Sequence, residues 1–240
     1  MAGSPDTLFQ SFTQLARTQQ PVKLINVFKG VPLVFDANVI GVTGETVQIK
    51  TDPQQIVGLS QEKQTYVQSD RLPGIVRARV VLVDLVNDHA TLADFELAAP
   101  GVGERQGIRV VPAQPVDILV EENGREVALK SELLDISQGG LSFVLASEPA
   151  DSHLFNEGSG LILHLELPAV GDGEPHQLRL EGSVIYVRNT GEDAIRRIGV
   201  KIFPDEQAKA ILADFVSHRQ TEIMGELNTL LEMLYDSSSQ

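Results

Sequence analysis

Between Lys23 and Phe203 the apolar residues come in short alternating runs, broken repeatedly by turn-forming residues. A period of two sends successive side chains to opposite faces of a strand. Sustained alternation of this kind is satisfied by sheets that bury one face, so the fold class is mainly β. Leu161, Leu163, Leu165 and Leu167 face one way, while Ile162, His164 and Glu166 face the other. Val76, Ala78, Val80 and Leu82 alternate with Arg77, Arg79 and Val81 in the same manner, which leaves the two arginines on a solvated face.

The strands fall into two sets. Leu24–Phe28, Leu33–Phe35, Val47–Ile49 and Thr65–Val67 are short β-favourable runs separated by turns such as Gly44-Glu45 and Asp52-Pro53. The hairpin Ile75–Leu85 and Thr91–Leu97, turning near Asn87-Asp88, completes a first small barrel. The uncharged stretch Ala98-Ala-Pro-Gly-Val-Gly103 then marks a domain boundary. Beyond it, Val116–Val120 and Val127–Leu134 flank Asn123-Gly124, a strong hairpin signal. Leu141–Leu145, Leu161–Leu167, Leu178–Val187 and Arg197–Phe203 supply the rest of a second barrel of six or seven strands. The domains expected are 1–100, 101–203 and a C-terminal segment, 204–240.

A helix is expected at each end. Ser4-Pro5-Asp6 is a helix start, and Leu8, Phe12 and Leu15 follow at helical spacing to about Thr18. This short helix covers a barrel end or packs in an interface. After Pro204, Asp205 is placed to cap a long helix. Its residues Ala213, Val216, Gln220, Ile223, Leu227, Leu230 and Leu234 alternate by three and four, forming a heptad seam. Such a seam serves a homodimer or packs on its own barrel, and the pattern leaves both open.

Composition removes several function classes. There is no cysteine, so disulfides, thiol catalysis and Cys-based zinc sites are excluded. The five histidines show no ligand spacing, and no P-loop or Gly-x-Ser-x-Gly nucleophile motif occurs. No residue is assigned a catalytic or metal-binding role. A net charge of −14 repels a nucleic-acid polymer. No signal peptide or transmembrane stretch is legible, and a cytoplasmic location is expected.

Two motifs remain, on either side of the Asn-Gly hairpin. Arg105 and Arg109 form an Arg-x-x-x-Arg pair, and Asp135, Ser137 and Gly140 form an Asp-x-Ser-x-x-Gly. A guanidinium is planar, always charged and carries five donors in a fixed fork. It pairs with guanine O6 and N7 or with a phosphate. A carboxylate at Asp135 can accept from the N1–H and N2–H₂ edge of guanine. Ser137 and the backbone near Gly139 and Gly140 can donate to phosphate, and Gly140 lets backbone approach closely. Together they suit a small, anionic, guanine-bearing ligand.

In this order and spacing, residues 104–203 resemble a PilZ domain, the bacterial receptor module for cyclic di-GMP. Leu180–Tyr186 and Arg197-Ile-Gly-Val-Lys-Ile-Phe203 resemble that family's closing strands. The preceding segment resembles the split-barrel-like N-terminal domain of flagellar-brake-type PilZ proteins. The resemblance implies a non-enzymatic second-messenger receptor with no cofactor, binding cyclic di-GMP through Arg105, Arg109, Asp135, Ser137, Gly139 and Gly140. It further implies a protein target, such as a flagellar motor, polysaccharide synthase or secretion component. The alternative is a module of the same fold that binds proteins without nucleotide.

Overall fold

The computed structural model describes residues 5–98, 107–122, 124–145, 155–171, 173–190 and 195–237. Contacts divide the chain into two compact units. The first is Met1–Gln106 together with Ile223–Gln240; the second is Gly107–Glu222. Each contains a closed six-stranded antiparallel barrel, as the alternation requires.

In the first unit the barrel order is β1 (Val22–Phe28), β2 (Val31–Thr43), β3 (Thr46–Thr51), β6 (His89–Leu97), β5 (Val76–Asp84), β4 (Gln64–Gln68). Helix α1 (Pro5–Thr18) closes the barrel. Its Leu8, Phe12 and Leu15 join one apolar cluster with Leu24, Val39, Ile49, Val67, Val76 and Leu92. Phe95 meets the Phe9 ring edge-on at 5.6 Å and the Phe12 ring at 5.0 Å. Arg77 and Arg79 pair with Glu96 and Asp94 on the neighbouring strand, all four exposed, as solvated residues should.

One element departs from the sequence reading. Asp52-Pro53 opens a helix, α2 (Pro53–Gln61), and not a simple turn. Asp52 accepts from the Gln54 amide at 2.8 Å, and Pro53 occupies the first turn, where its missing N–H costs nothing. Ile56, Val57 and Leu59 of this helix are buried. The same dipeptide serves turns and helix starts, so only the following apolar spacing separates the two. β2 is also far longer than Leu33–Phe35, because a bulge between Val39 and Gly41 lets the strand bend around the barrel.

In the second unit the order is β10 (Gly160–Leu167), β11 (His176–Thr190), β12 (Ile195–Ile202), β9 (Gly140–Leu145), β8 (Arg125–Ser137), β7 (Asp117–Glu122). Leu161, Leu163, Leu165 and Leu167 point into its core with Leu141, Phe143, Leu145, Ile198 and Val200. The long helix α3 (Glu206–Ser237) begins where expected, the Asp205 carboxylate accepting from the Ala208 amide at 2.8 Å. Of the heptad seam, Val216, Ile223 and Leu227 are buried within the single chain, so the structure contains the own-chain packing alternative. In the first unit, Lys29 pairs with Glu226, Gln54 bonds Asn228 at 2.7 Å, and the Tyr235 hydroxyl donates to Asp88. Burial and the Asp88 carboxylate push the Tyr235 phenol well above its ordinary range, so it remains a donor.

Candidate ligand-binding site

A register shift between Leu133 and Asp135 resets the alternation of β8, so that Ile136 enters the core and Asp135 and Ser137 take the outer face. Register then sets Ser142 opposite Asp135 and Gly140 opposite Ser137. On the far side of β9, Gly199 pairs with Ser142 and Lys201 with Gly140. Arg197 lies on the same outer row as Gly199 and Lys201, and Arg188 of β11 is its cross-strand neighbour.

The segment carrying Arg109 is held against this face by an isolated bridge. The Val110 amide donates to the Ile136 carbonyl at 2.9 Å, and the Ile136 amide to the Val110 carbonyl at 3.0 Å. Ile136 lies between Asp135 and Ser137, so the bridge brings the two sequence motifs together. Arg109 Nη1 donates to Asp135 Oδ1 at 2.9 Å. On the other side, Arg197 Nη2 donates to Asp135 Oδ2 at 2.6 Å and to Ser142 Oγ at 3.1 Å. The Ser142 hydroxyl donates in turn to Asp135 Oδ2 at 2.8 Å. One carboxylate therefore aligns two guanidinium groups, leaving the cluster a net positive charge in an acidic chain.

Gly140 is required by space. A Cβ there would lie 2.9 Å from the Val200 carbonyl oxygen and 3.4 Å from Arg109 Nη2. At Gly199 the Tyr186 ring occupies the position of a Cβ, and the Arg188 guanidinium sits 5.0 Å from that ring's centre. Gly140, Ser142 and Gly199 are thus small because other groups pack over them, and the exposed members of this face are Arg188 and Lys201, with Arg109, Arg197 and Tyr186 half-buried. The four cations gathered here have the chemistry to meet phosphate and base edges.

The structure brings Arg109, Asp135, Ser137 and Gly140 together, and Gly139 sits in the adjoining turn, its carbonyl accepting from the Ile202 amide at 3.2 Å. Arg105 lies outside the described residues. The Ser137 hydroxyl differs from expectation: it donates to the Gly140 carbonyl at 2.8 Å, so in this arrangement it offers a ligand lone pairs and not its proton. Sequence reasoning missed Arg197 and Ser142 as members. The outward row Arg197, Gly199, Lys201 carried a signal, but only the pairing of β12 with β9 identifies what that row faces. Among the described residues no cluster of His, Asp or Glu could hold a metal, and no helix is long and apolar enough to cross a membrane.

Residues 104–218 match the model of the PilZ domain. The second barrel is a PilZ domain. The chain is similar to three solved structures. One is the inhibitor of motility MotI/DgrA of Bacillus subtilis, with 16% identity, a TM-score of 0.42, and coverage of 85% of this chain and 97% of that one. Another is YcgR of Escherichia coli in complex with c-di-GMP, with 12% identity, a TM-score of 0.42 and coverage of 95% and 96%. The third is the c-di-GMP complex of MrkH of K. pneumonia, with 13% identity, a TM-score of 0.45 and coverage of 93% and 97%. Comparison with curated proteins finds no match.

Proposed function

We propose that the PilZ domain binds cyclic di-GMP on this outer face and that the protein is a receptor passing ligand state to a protein target. The observation that carries the reading is the pair of guanidinium groups aligned on Asp135 beside Gly140. Arg105, Arg109, Asp135, Ser137, Gly139 and Gly140 form the ligand contacts in this reading, joined by Arg197. Arg109 and Arg105 reach phosphate and the O6/N7 edge of a guanine. Asp135 accepts from the Watson–Crick edge, giving up part of its hold on the arginines as the ligand enters. A protein-binding module without nucleotide remains the alternative, and nothing in the arrangement of these side chains favours it.

Calorimetric titration of cyclic di-GMP tests the site. Each charge-assisted contact is worth about 1.5–3 kcal/mol, so the Arg105→Ala/Arg109→Ala double variant should bind at least about tenfold more weakly. Arg109→Lys should also bind poorly, because an ammonium cannot reproduce the fork. Wild-type affinity in the double variant would reject the site.

The reading extends to output. Arg105 and Arg109 lie beside the uncharged boundary stretch, so a ligand that takes up both draws residues 98–109 onto the barrel and alters the relative placement of the two units. The ligand shifts that equilibrium only by its differential affinity for the two arrangements. Amide exchange in residues 98–109 should slow on binding, and small-angle scattering should change in the wild type but not in Arg105→Ala. Superimposable scattering profiles with unchanged exchange would reject the switch while leaving binding intact.

A further inference from the structure

The segment that delivers Arg109 belongs to no strand, yet its position is fixed from both sides. One side is the Val110–Ile136 bridge. The other is Arg219 of α3, whose Nε donates to the Val111 carbonyl at 2.9 Å. Arg219 is only 5% exposed, and its Nη1 donates to Glu222 at 3.0 Å. Both contacts lie within the second unit. Nearby on the same helix Leu212, Phe215 and Val216 are buried, so apolar packing already seats this part of α3.

A buried guanidinium is a costly way to hold a helix, since a well-packed apolar side chain of similar volume often does as well or better. What an apolar side chain cannot do is fix a backbone carbonyl. Val111 follows the bridged Val110, and Val110 follows Arg109. The path from Arg219 to Asp135 is therefore one short run of backbone with a hydrogen bond at each step. We infer that Arg219 is a positioning residue for the ligand site, holding the Arg109 segment in register with Asp135 and linking site occupancy to the seat of α3. This rests on the reading of that site as the cyclic di-GMP site. By linkage, whatever tightens the α3 seat also tightens ligand binding, and the reverse holds equally.

Arg219→Met tests it, because methionine keeps the buried packing and loses the donor. Without nucleotide, amide exchange measured by NMR should accelerate at Val110 and Ile136 and stay as in the wild type in strands β10 and β12. With cyclic di-GMP, calorimetry should show an affinity about tenfold weaker, within the usual range of such couplings. Arg219→Lys, which can still donate to Val111, should recover part of both losses. Unchanged exchange at Val110 in Arg219→Met overturns the positioning role, whatever the nucleotide does. Accelerated exchange with undiminished affinity overturns the link to the ligand site. A general rise in exchange across the barrel, with a lower melting temperature, overturns it too, since that marks a residue needed only for the fold. Wild-type protein that fails to bind cyclic di-GMP rejects the ligand, and the exchange measurement then still decides whether Arg219 positions the Arg109 segment.

Discussion

Asp135→Ala should destabilise the PilZ barrel by about 3 kcal/mol and abolish its discrimination between cyclic di-GMP and cyclic di-AMP. The carboxylate side chain is 12% exposed, and it accepts from Arg109, Arg197 and Ser142 at once. Removing one partner of a fully buried ion pair costs about 3–5 kcal/mol, because the other charge is left uncompensated. Here the guanidinium side chains are 27% and 38% exposed, so water relieves part of that penalty and the lower end of the range applies. Binding should fall as well, since the proposed acceptor for the guanine edge is lost and Arg109 is no longer aligned. Scanning calorimetry on the full chain reads the first effect and nucleotide titration the second. A variant as stable as the wild type, with equal preference for cyclic di-GMP, would remove both roles from Asp135.

Leu227→Ala should have an effect of similar size in the other unit. Leu227 is fully buried and flanked by Glu226 and Asn228, which bond Lys29 and Gln54. Truncating a buried leucine costs about 2–5 kcal/mol, from lost transfer energy and the cavity left behind. The loss should fall on the transition of the first unit and leave that of the PilZ barrel in place. It should also be the same at low and high protein concentration, because Leu227 packs within its own chain. A loss that grows on dilution would show instead that the heptad seam holds two copies together.

How much of this was legible in the sequence depends on how local each signal is. Alternation in Leu161–Leu167 needs only its own residues to reveal an inward face, so both barrels could be read. Arg109 and Asp135 were read as one site from two spaced motifs, and the structure brings these two side chains into contact. Arg197 and Ser142 were not, because their partnership arises from the register between β12, β9 and β8, which no single stretch encodes. The α2 helix was hidden by Asp52-Pro53, a dipeptide that two local structures use equally well. The α3 seam is a case of its own: spacing by three and four shows that a face is buried but not by what. Tertiary packing accounts for three of its positions, with Val216, Ile223 and Leu227 buried in the single chain.

The composition of the first unit has a bearing on biosynthesis. Residues 107–222 are contiguous, whereas the first unit gathers residues before 107 and after 222. A ribosome makes the chain in order and domains fold as they emerge. The second barrel and the core cluster of the first are thus both made before the end of α3, and the contacts of Lys29, Gln54 and Asp88 with Glu226, Asn228 and Tyr235 come last. The unit that is translated first is the one whose last contacts form second, and until then Lys29, Gln54 and Asp88 bond to water.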